Sequence, residues 1–217
     1  MQTPIPLHKC FLWVILLSCP IAGLGQELKP IVLPKPQTEI GQPLMQVLKN
    51  RHSSREFSPE RLSPQMLSNL LWAAFGINRP DSGKRTAPSA MNWQETDLYV
   101  ATAEGLYVYD AKAHQLNPVL GEDVRAYTGT QSFVKDAPVD IVYVADLRKA
   151  RSPSPDRDMY VAADTGFIAQ NVYLFCASEG LVTVVRGTIE RPALAKVMRL
   201  RADQKIMLSQ TVGYPRK

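Results

Sequence analysis

The stretch from Asp158 to Glu179 constrains this chain more than any other. Tyr160, Ala163, Phe167, Ala169, Asn171, Leu174, Phe175 and Ser178 recur at helical steps, and Gly180 closes the pattern. The stretch is apolar on more than one side. A helix of that kind buries two faces, so it is expected at the centre of the fold, on a sheet and against a partner. Gln170 and Asn171 inside it then need hydrogen-bond partners, because an unpaired buried amide costs about 1–3 kcal/mol.

The sheet is written around that helix. Pro138 to Ala145 is a near-continuous apolar run, which predicts a strand covered on both faces. Leu181 to Val185 is a second such run; it leads into Arg186-Gly187, so a charge and a permissive backbone are expected at its exposed end. Lys205 to Tyr214 reads as a last strand. Asp97–Ala103 and Leu106–Asp110, joined by Glu104-Gly105, predict a β-hairpin. His114 falls in a polar turn and is expected to be exposed, and 121–135 has room for one short helix. Arg148 to Arg157, with Pro153 and Pro155, reads as a loop.

Three further helices are expected. Pro43 opens one with Leu44, Val47, Leu48 and Arg51 on one face. Ser63-Pro64 supplies an N-cap and a first helical residue for a second, carried by Met66, Leu67, Leu70, Leu71 and Ala74. Gly76 stands where its C-terminus would favour positive φ. Glu190-Arg191-Pro192 starts a short one ending near Leu200. Hairpins mixed with segregated helices predict an α+β sandwich.

Ahead of this domain the chain changes character. His8 and Lys9 precede the apolar run Cys10–Cys19, and Gly23-Leu24-Gly25 supplies small residues before Gln26. That pattern predicts a signal peptide over 1–25, cleavage near Gln26 and an exported, periplasmic protein. The run is too short for a membrane span of about 20 residues. Leu16-Leu17-Ser18-Cys19 also has the outline of a lipoprotein box, which leaves a lipid anchor on Cys19 open. Pro30, Pro34 and Pro36 predict an extended tether over 26–42, before a domain at 43–217. Of the three cysteines only Cys176 lies beyond the signal; its apolar neighbours predict a buried core thiol. The formal charge is +5 without any Lys/Arg run interleaved with aromatics, so nucleic acid is not an expected partner. His52, His114 and Cys176 are too scattered for a metal site of the usual kind.

Two stretches carry candidate binding chemistry. Arg51-His52-Ser53-Ser54-Arg55 follows the first helix and could take a phosphate; a frayed helix end with cations on its dipole is the plainer reading. Asn78-Arg79-Pro80-Asp81 to Arg85 is a polar loop, and Pro88-Ser89-Ala90-Met91-Asn92-Trp93-Gln94 follows it. Small residues let a flat ligand approach, and Asn and Gln offer donors and acceptors to the edge of a heterocycle. A solvated connection is the bland alternative.

Taken in order, Arg51–Arg55, the Pro88–Gln94 segment, the long helix ending in Glu179-Gly180-Leu181 and the closing Val212-Gly213-Tyr214-Pro215 resemble the nitroreductase family of FMN enzymes, from about Pro43 to Tyr214. The phrases LLWAAFGINR and RTAPSA are similar to the branch that contains thiazoline and oxazoline dehydrogenases. The resemblance implies a mostly antiparallel sheet flanked by helices, and a homodimer with FMN at each subunit interface. By position, Arg51 and Ser53, with His52 beside them, would meet the phosphate, and Arg55 would approach the ring. Asn78 would add a ring contact. Pro88, Ser89, Asn92 and Gln94 would reach the partner subunit's FMN. The backbone of Arg186 and Gly187 would lie near flavin N5, with no separate catalytic side chain. Arg216 and Lys217 would stand for the basic residues that follow the family's final strand. The implied activity is an FMN-dependent oxidoreductase acting in two half-reactions. Family members usually draw hydride from cytoplasmic NAD(P)H, so an exported member implies another donor or acceptor. A non-catalytic flavin-binding or sensor module is the alternative, and an exported structural domain the third reading.

Overall fold

The computed structural model describes residues 28–150 and 155–216. The expected signal peptide, Cys19, part of the proline-bearing loop and Lys217 lie outside them. A seven-stranded sheet runs in the order β1-β6-β5-β4-β7-β9-β8, with every neighbouring pair antiparallel. The strands are β1 (Ile31–Val32), β4 (Thr96–Thr102), β5 (Gly105–Asp110), β6 (Gln115–Leu120), β7 (Val139–Asp146), β8 (Val182–Arg186) and β9 (Gln204–Gly213). β2 (Ile77–Arg79) and β3 (Lys84–Arg85) form a separate small hairpin. The helices are α1 (Leu44–Asn50), α2 (Pro64–Phe75), α3 (Arg157–Glu179) and α4 (Arg191–Val197). This is an α+β sandwich.

Strand periodicity assigns the two cores. Leu98, Val100, Ile141, Tyr143 and Val212 meet α2 and α3 through Leu70, Leu71, Ile168, Val172 and Cys176. Their alternates Tyr99, Ala101, Val142 and Val144 face α4 through Leu194 and Met198. β7 is therefore buried along its whole length, as its unbroken apolar run requires. Cys176 is the expected core thiol, with burial pushing its ionisation far up.

α2 begins as its sequence dictates: the Ser63 hydroxyl accepts the Met66 N–H. Gly76 corrects the expectation of positive φ. Its backbone is extended, at φ −71° and ψ 167°. Glycine is required because a Cβ would stand 2.6 Å from the Trp72 carbonyl oxygen. Gly180 does take the left-handed conformation that ends α3, at φ 71°.

Four local readings change. The expected hairpin is a three-stranded meander, because β6 pairs with β5. Two short 3-10 turns, Arg125–Tyr127 and Ser132–Lys135, stand where one short helix was expected. His114 is half-buried: its ring meets the Tyr109 hydroxyl at 2.9 Å and the Ser68 hydroxyl at 2.7 Å. The described part of the stretch expected as a tether, 28–42, is docked on the domain. Leu33 is buried, the Ser68 hydroxyl donates to the Pro34 carbonyl, and the Gln37 N–H donates to Asn69. Among the described residues no helix is long and apolar enough to cross a membrane.

Candidate functional site

α1 ends at Asn50, and the chain turns along the outer edge of β8. Pairing explains its course: the Ser54 N–H donates to the Thr183 carbonyl at 3.0 Å, and Phe57 bridges to Pro215 beyond β9. This places Arg51 and Ser53 over Tyr173 of α3. The Arg51 guanidinium lies 5.3 Å from the Tyr173 ring centroid, within cation–π range. The Tyr173 hydroxyl is 2.8 Å from the Ser53 hydroxyl and accepts the Val185 N–H at 2.9 Å. Tyr173 was not among the expected site residues. Its only sequence signal was an aromatic with a polar tip between Asn171 and Leu174.

Cations outnumber acids in this corner, Arg51, Arg55 and Arg216 against Glu56. Neither Arg51 nor Arg55 forms an ion pair among the described residues, and Arg55 is exposed. Two guanidiniums without ion-pair partners, one of them over Tyr173 beside the Ser53 hydroxyl, suit an anion such as a phosphate. His52 is exposed, with Nδ1 2.8 Å from the Asn50 carbonyl. Arg216 joins the same loop from the C-terminal side, donating through Nε to the Phe57 carbonyl at 3.3 Å. A Tyr173→Phe variant is expected to lose about 1 kcal/mol, the usual net worth of one hydrogen bond. Thermal melting checks this, and an unchanged melting temperature would mean that water replaces the hydroxyl.

The Arg186 side chain is not exposed, which corrects the expectation of a charge at the end of β8. It is buried and donates to Asp140 at 2.7 Å, to the Thr128 carbonyl at 2.8 Å, and to Ser209 and Thr211. Arg186 points into the face opposite α3 because successive strand residues alternate. Burial pushes Asp140 up, to about 6, against the pull of Arg186. Only the backbone of Arg186-Gly187 is left for a ligand. Gly187 is exposed, with its carbonyl accepting from Arg191 at 3.2 Å.

The Pro88–Gln94 segment stands elsewhere, against the N-terminal half of α3. Pro88 is exposed. The Ser89 hydroxyl accepts the Gln94 N–H at 2.8 Å and donates to Glu95 at 3.2 Å. Gln94 accepts from Arg85 at 2.8 Å and donates to the Gly83 carbonyl and to Asn92, each at 3.1 Å. Both side chains shape the segment. Exposed Asn92 keeps its amide N–H groups free among the described residues. Met91, Asn92 and Gln94 all have positive φ, between 49° and 54°. Such strain in side-chain-bearing residues gathers at functional sites. Asn78 lines a third place, a cleft of about 410 Å³ that it shares with Trp72, Asn171 and Phe175. Asn171 donates to the Ala73 carbonyl at 3.1 Å, and Gln170 is exposed.

Helix geometry separates the first two places. Tyr173 anchors one, and Asp164, which accepts the Ala90 N–H at 2.8 Å, anchors the other. Nine residue steps of α3 separate them, about 13 Å along the axis and half a turn around it. They sit on opposite sides of one helix.

The sequence matches the model of the Nitroreductase family over residues 48–214. A candidate nitroreductase of Methanocaldococcus jannaschii is 30% identical, over 73% of this chain and 85% of that protein. A crystal structure of a candidate nitroreductase from Ralstonia eutropha JMP134 superposes with a TM-score of 0.84 at 43% identity, covering 90% of this chain and 92% of that one. The structure of a candidate nitroreductase from Desulfovibrio desulfuricans in complex with FMN shares the fold, with a TM-score of 0.60 at 22% identity over 81% of this chain and 88% of that one.

Proposed function

The chain belongs to the nitroreductase family, and we propose that it is an exported FMN-dependent oxidoreductase that works as a homodimer. The observation that carries this reading is Arg51, without an ion-pair partner among the described residues, over the ring of Tyr173, whose hydroxyl meets that of Ser53, with Arg55 exposed farther along the same loop. These residues fit the phosphate end of FMN, and Arg216, bonded to the same loop from beyond β9, adds a third cation. Bound FMN supplies hydride transfer at N5, and the protein supplies position and electrostatics.

Each residue then has a task. Arg51 and Ser53 hold the phosphate, Tyr173 holds Ser53 against Val185, and Arg55 stands toward the ring. The Gly187 backbone lines the reactive edge. The free amide of Asn92 reaches the flavin from the other copy. The two places on opposite sides of α3 support that division, because one small ligand in one copy would not touch both. The outer faces of α1 and α3 support dimerisation: Leu44, Met45, Leu48, Met159 and Phe167 are exposed.

The N-terminal sequence supports export, with lipid on Cys19 as a variant of it. Outside the cytoplasm the reductant is not NAD(P)H. The similarity of LLWAAFGINR and RTAPSA to the thiazoline and oxazoline dehydrogenase branch supports a substrate that gives up hydride to the flavin.

The test is an absorbance spectrum of the purified protein with FMN. Flavin bands that bleach with a reductant and return with an acceptor are expected. A bound flavin that never cycles would favour the binding-module reading. Arg51→Ala is expected to weaken FMN binding about tenfold to a hundredfold, since a hydrogen bond to a charged group contributes about 1.5–3 kcal/mol. Unchanged affinity on fluorescence titration would remove Arg51 from the phosphate site.

A further inference from the structure

Two carboxyl groups beneath the 89–94 segment have no part in that reading. Glu95 is fully buried just ahead of β4, and Asp164 is almost as buried within α3. Between them they hold both ends of the segment. The Ala90 N–H donates to Asp164 Oδ2, and the Ser89 hydroxyl donates to Glu95 Oε2 while accepting the Gln94 N–H. Between these ties the backbone passes through the three positive-φ residues Met91, Asn92 and Gln94. Such conformations persist only where the surroundings over-determine them.

The two carboxyls also meet each other, and Glu95 Oε1 is buried with no hydrogen-bond partner among the described residues. Cations on the neighbouring elements are committed elsewhere. Arg85 of β3 donates to Gln94 and to the Phe75 carbonyl. Lys149 pairs with Asp97 of β4, and Arg148 and Arg201 pair with Asp146 of β7. Lys205 of β9 pairs with Asp158 on the first turn of α3. Tyr160 of α3 stands edge-on to Trp93. Two carboxylates in contact, dry and without a counter-ion, do not both ionise near neutrality. Burial, the largest cause for each, pushes both up from the ordinary carboxylate range. A retained proton supplies the donor that the pair otherwise lacks.

We propose that Glu95 and Asp164 are positioning residues, a proton-sharing carboxyl pair that locks the 89–94 segment and makes flavin retention fall as pH rises. The flavin half of this rests on the proposed function; the lock does not. Its sign follows from linkage. A proton held in the folded state and lost in the unfolded one contributes stability that is full below the unfolded carboxylate range. That stability disappears as pH rises through the raised native ionisation. If FMN needs the locked segment, its dissociation constant rises about tenfold per pH unit above that ionisation.

The experiment compares wild type, Glu95→Gln and Asp164→Asn over about pH 5–9, the range in which raised carboxyls titrate. It reads the melting temperature of the flavin-free protein and the FMN dissociation constant. Wild type is expected to lose melting temperature and affinity as pH rises. The amide variants, with a permanent donor, are expected to be flatter in both. One melting profile shared by all three proteins overturns the lock. Profiles that differ while the affinity profiles coincide overturn its link to flavin. A wild type that binds no FMN at any pH overturns the flavin half and the proposed function, and the melting profiles still decide the lock. A third readout uses wild-type carboxyls. In a Trp13→Phe, Trp72→Phe background Trp93 is the sole tryptophan, and its emission is expected to change at the same midpoint. Emission independent of pH overturns the lock.

Discussion

An Asp140→Ala variant is expected to lose about 3–5 kcal/mol of stability, the cost of leaving a buried charge without its partner. Asp140 is fully buried and the Arg186 side chain is 3% exposed. The Asp140 carboxylate accepts from Arg186 at 2.7 Å and from the Thr211 hydroxyl. No other acid pairs with Arg186 among the described residues, so removing Asp140 strands a guanidinium inside the fold. A companion variant separates the loss of the pair from its exposure of Arg186. Replacing Asp140 by Leu and Arg186 by Met together is expected to recover most of the loss, because a well-packed apolar pair often matches a buried ion pair. Urea denaturation of the three proteins reads the difference. A loss below about 1 kcal/mol for Asp140→Ala would mean that water reaches Arg186.

Phe167→Glu is expected to dissociate the proposed homodimer and to strip the proposed flavin with it. Phe167 is 48% exposed and Met159 59% exposed, on the outer face of α3. Gly166 beside Phe167 has no heavy atom near its Cβ position, so a neighbouring helix could approach closely there. In a symmetric interface one substitution buries two carboxylates, each costing several kcal/mol to desolvate. Self-association is then expected to weaken at least a hundredfold, about 2.7 kcal/mol. Under the proposed shared site the flavin follows, because Arg51 and Asn92 would meet it from different copies. Sedimentation velocity and flavin absorbance read the two effects separately. A monomer with unchanged FMN affinity would refute the shared site. A persistent dimer would move the interface away from α3.

How much of this was legible depends on how local the physics is. α2, α3, β7 and β9 showed themselves through periodicity and caps, which need no knowledge of neighbours. β6 did not, because Pro118 argues against a strand. It is tolerated opposite Tyr107, where the β5–β6 register shifts and beyond the two residues that pair with β1. β1 has two residues and is defined wholly by its partner. The β2–β3 hairpin was hidden in a polar loop whose order comes from Arg79 and Arg85 reaching backbone carbonyls.

The site divides in the same way. Arg51, Ser53 and the 88–94 segment stood out by residue type over a short span. Arg186 misled, because which face a strand residue points to, and the acid waiting there, are long-range facts. Tyr173, Glu95 and Asp164 were invisible for the opposite reason: an aromatic or an acid within a helix or at a strand start looks like ordinary surface until its partner arrives from elsewhere in the chain.

β8 ends the sheet, and an end strand offers unpaired N–H and C=O groups to any passing chain. Here the Val185 N–H is taken by Tyr173 and the Thr183 carbonyl by the Ser54 N–H. Loop 51–57 is thus a guard rail as well as a candidate anion cradle. It closes the β8 margin of the sheet, where strands of separate molecules could add and start an aggregate, and it does so with Ser54 and Tyr173, neighbours of the cations Arg51 and Arg55.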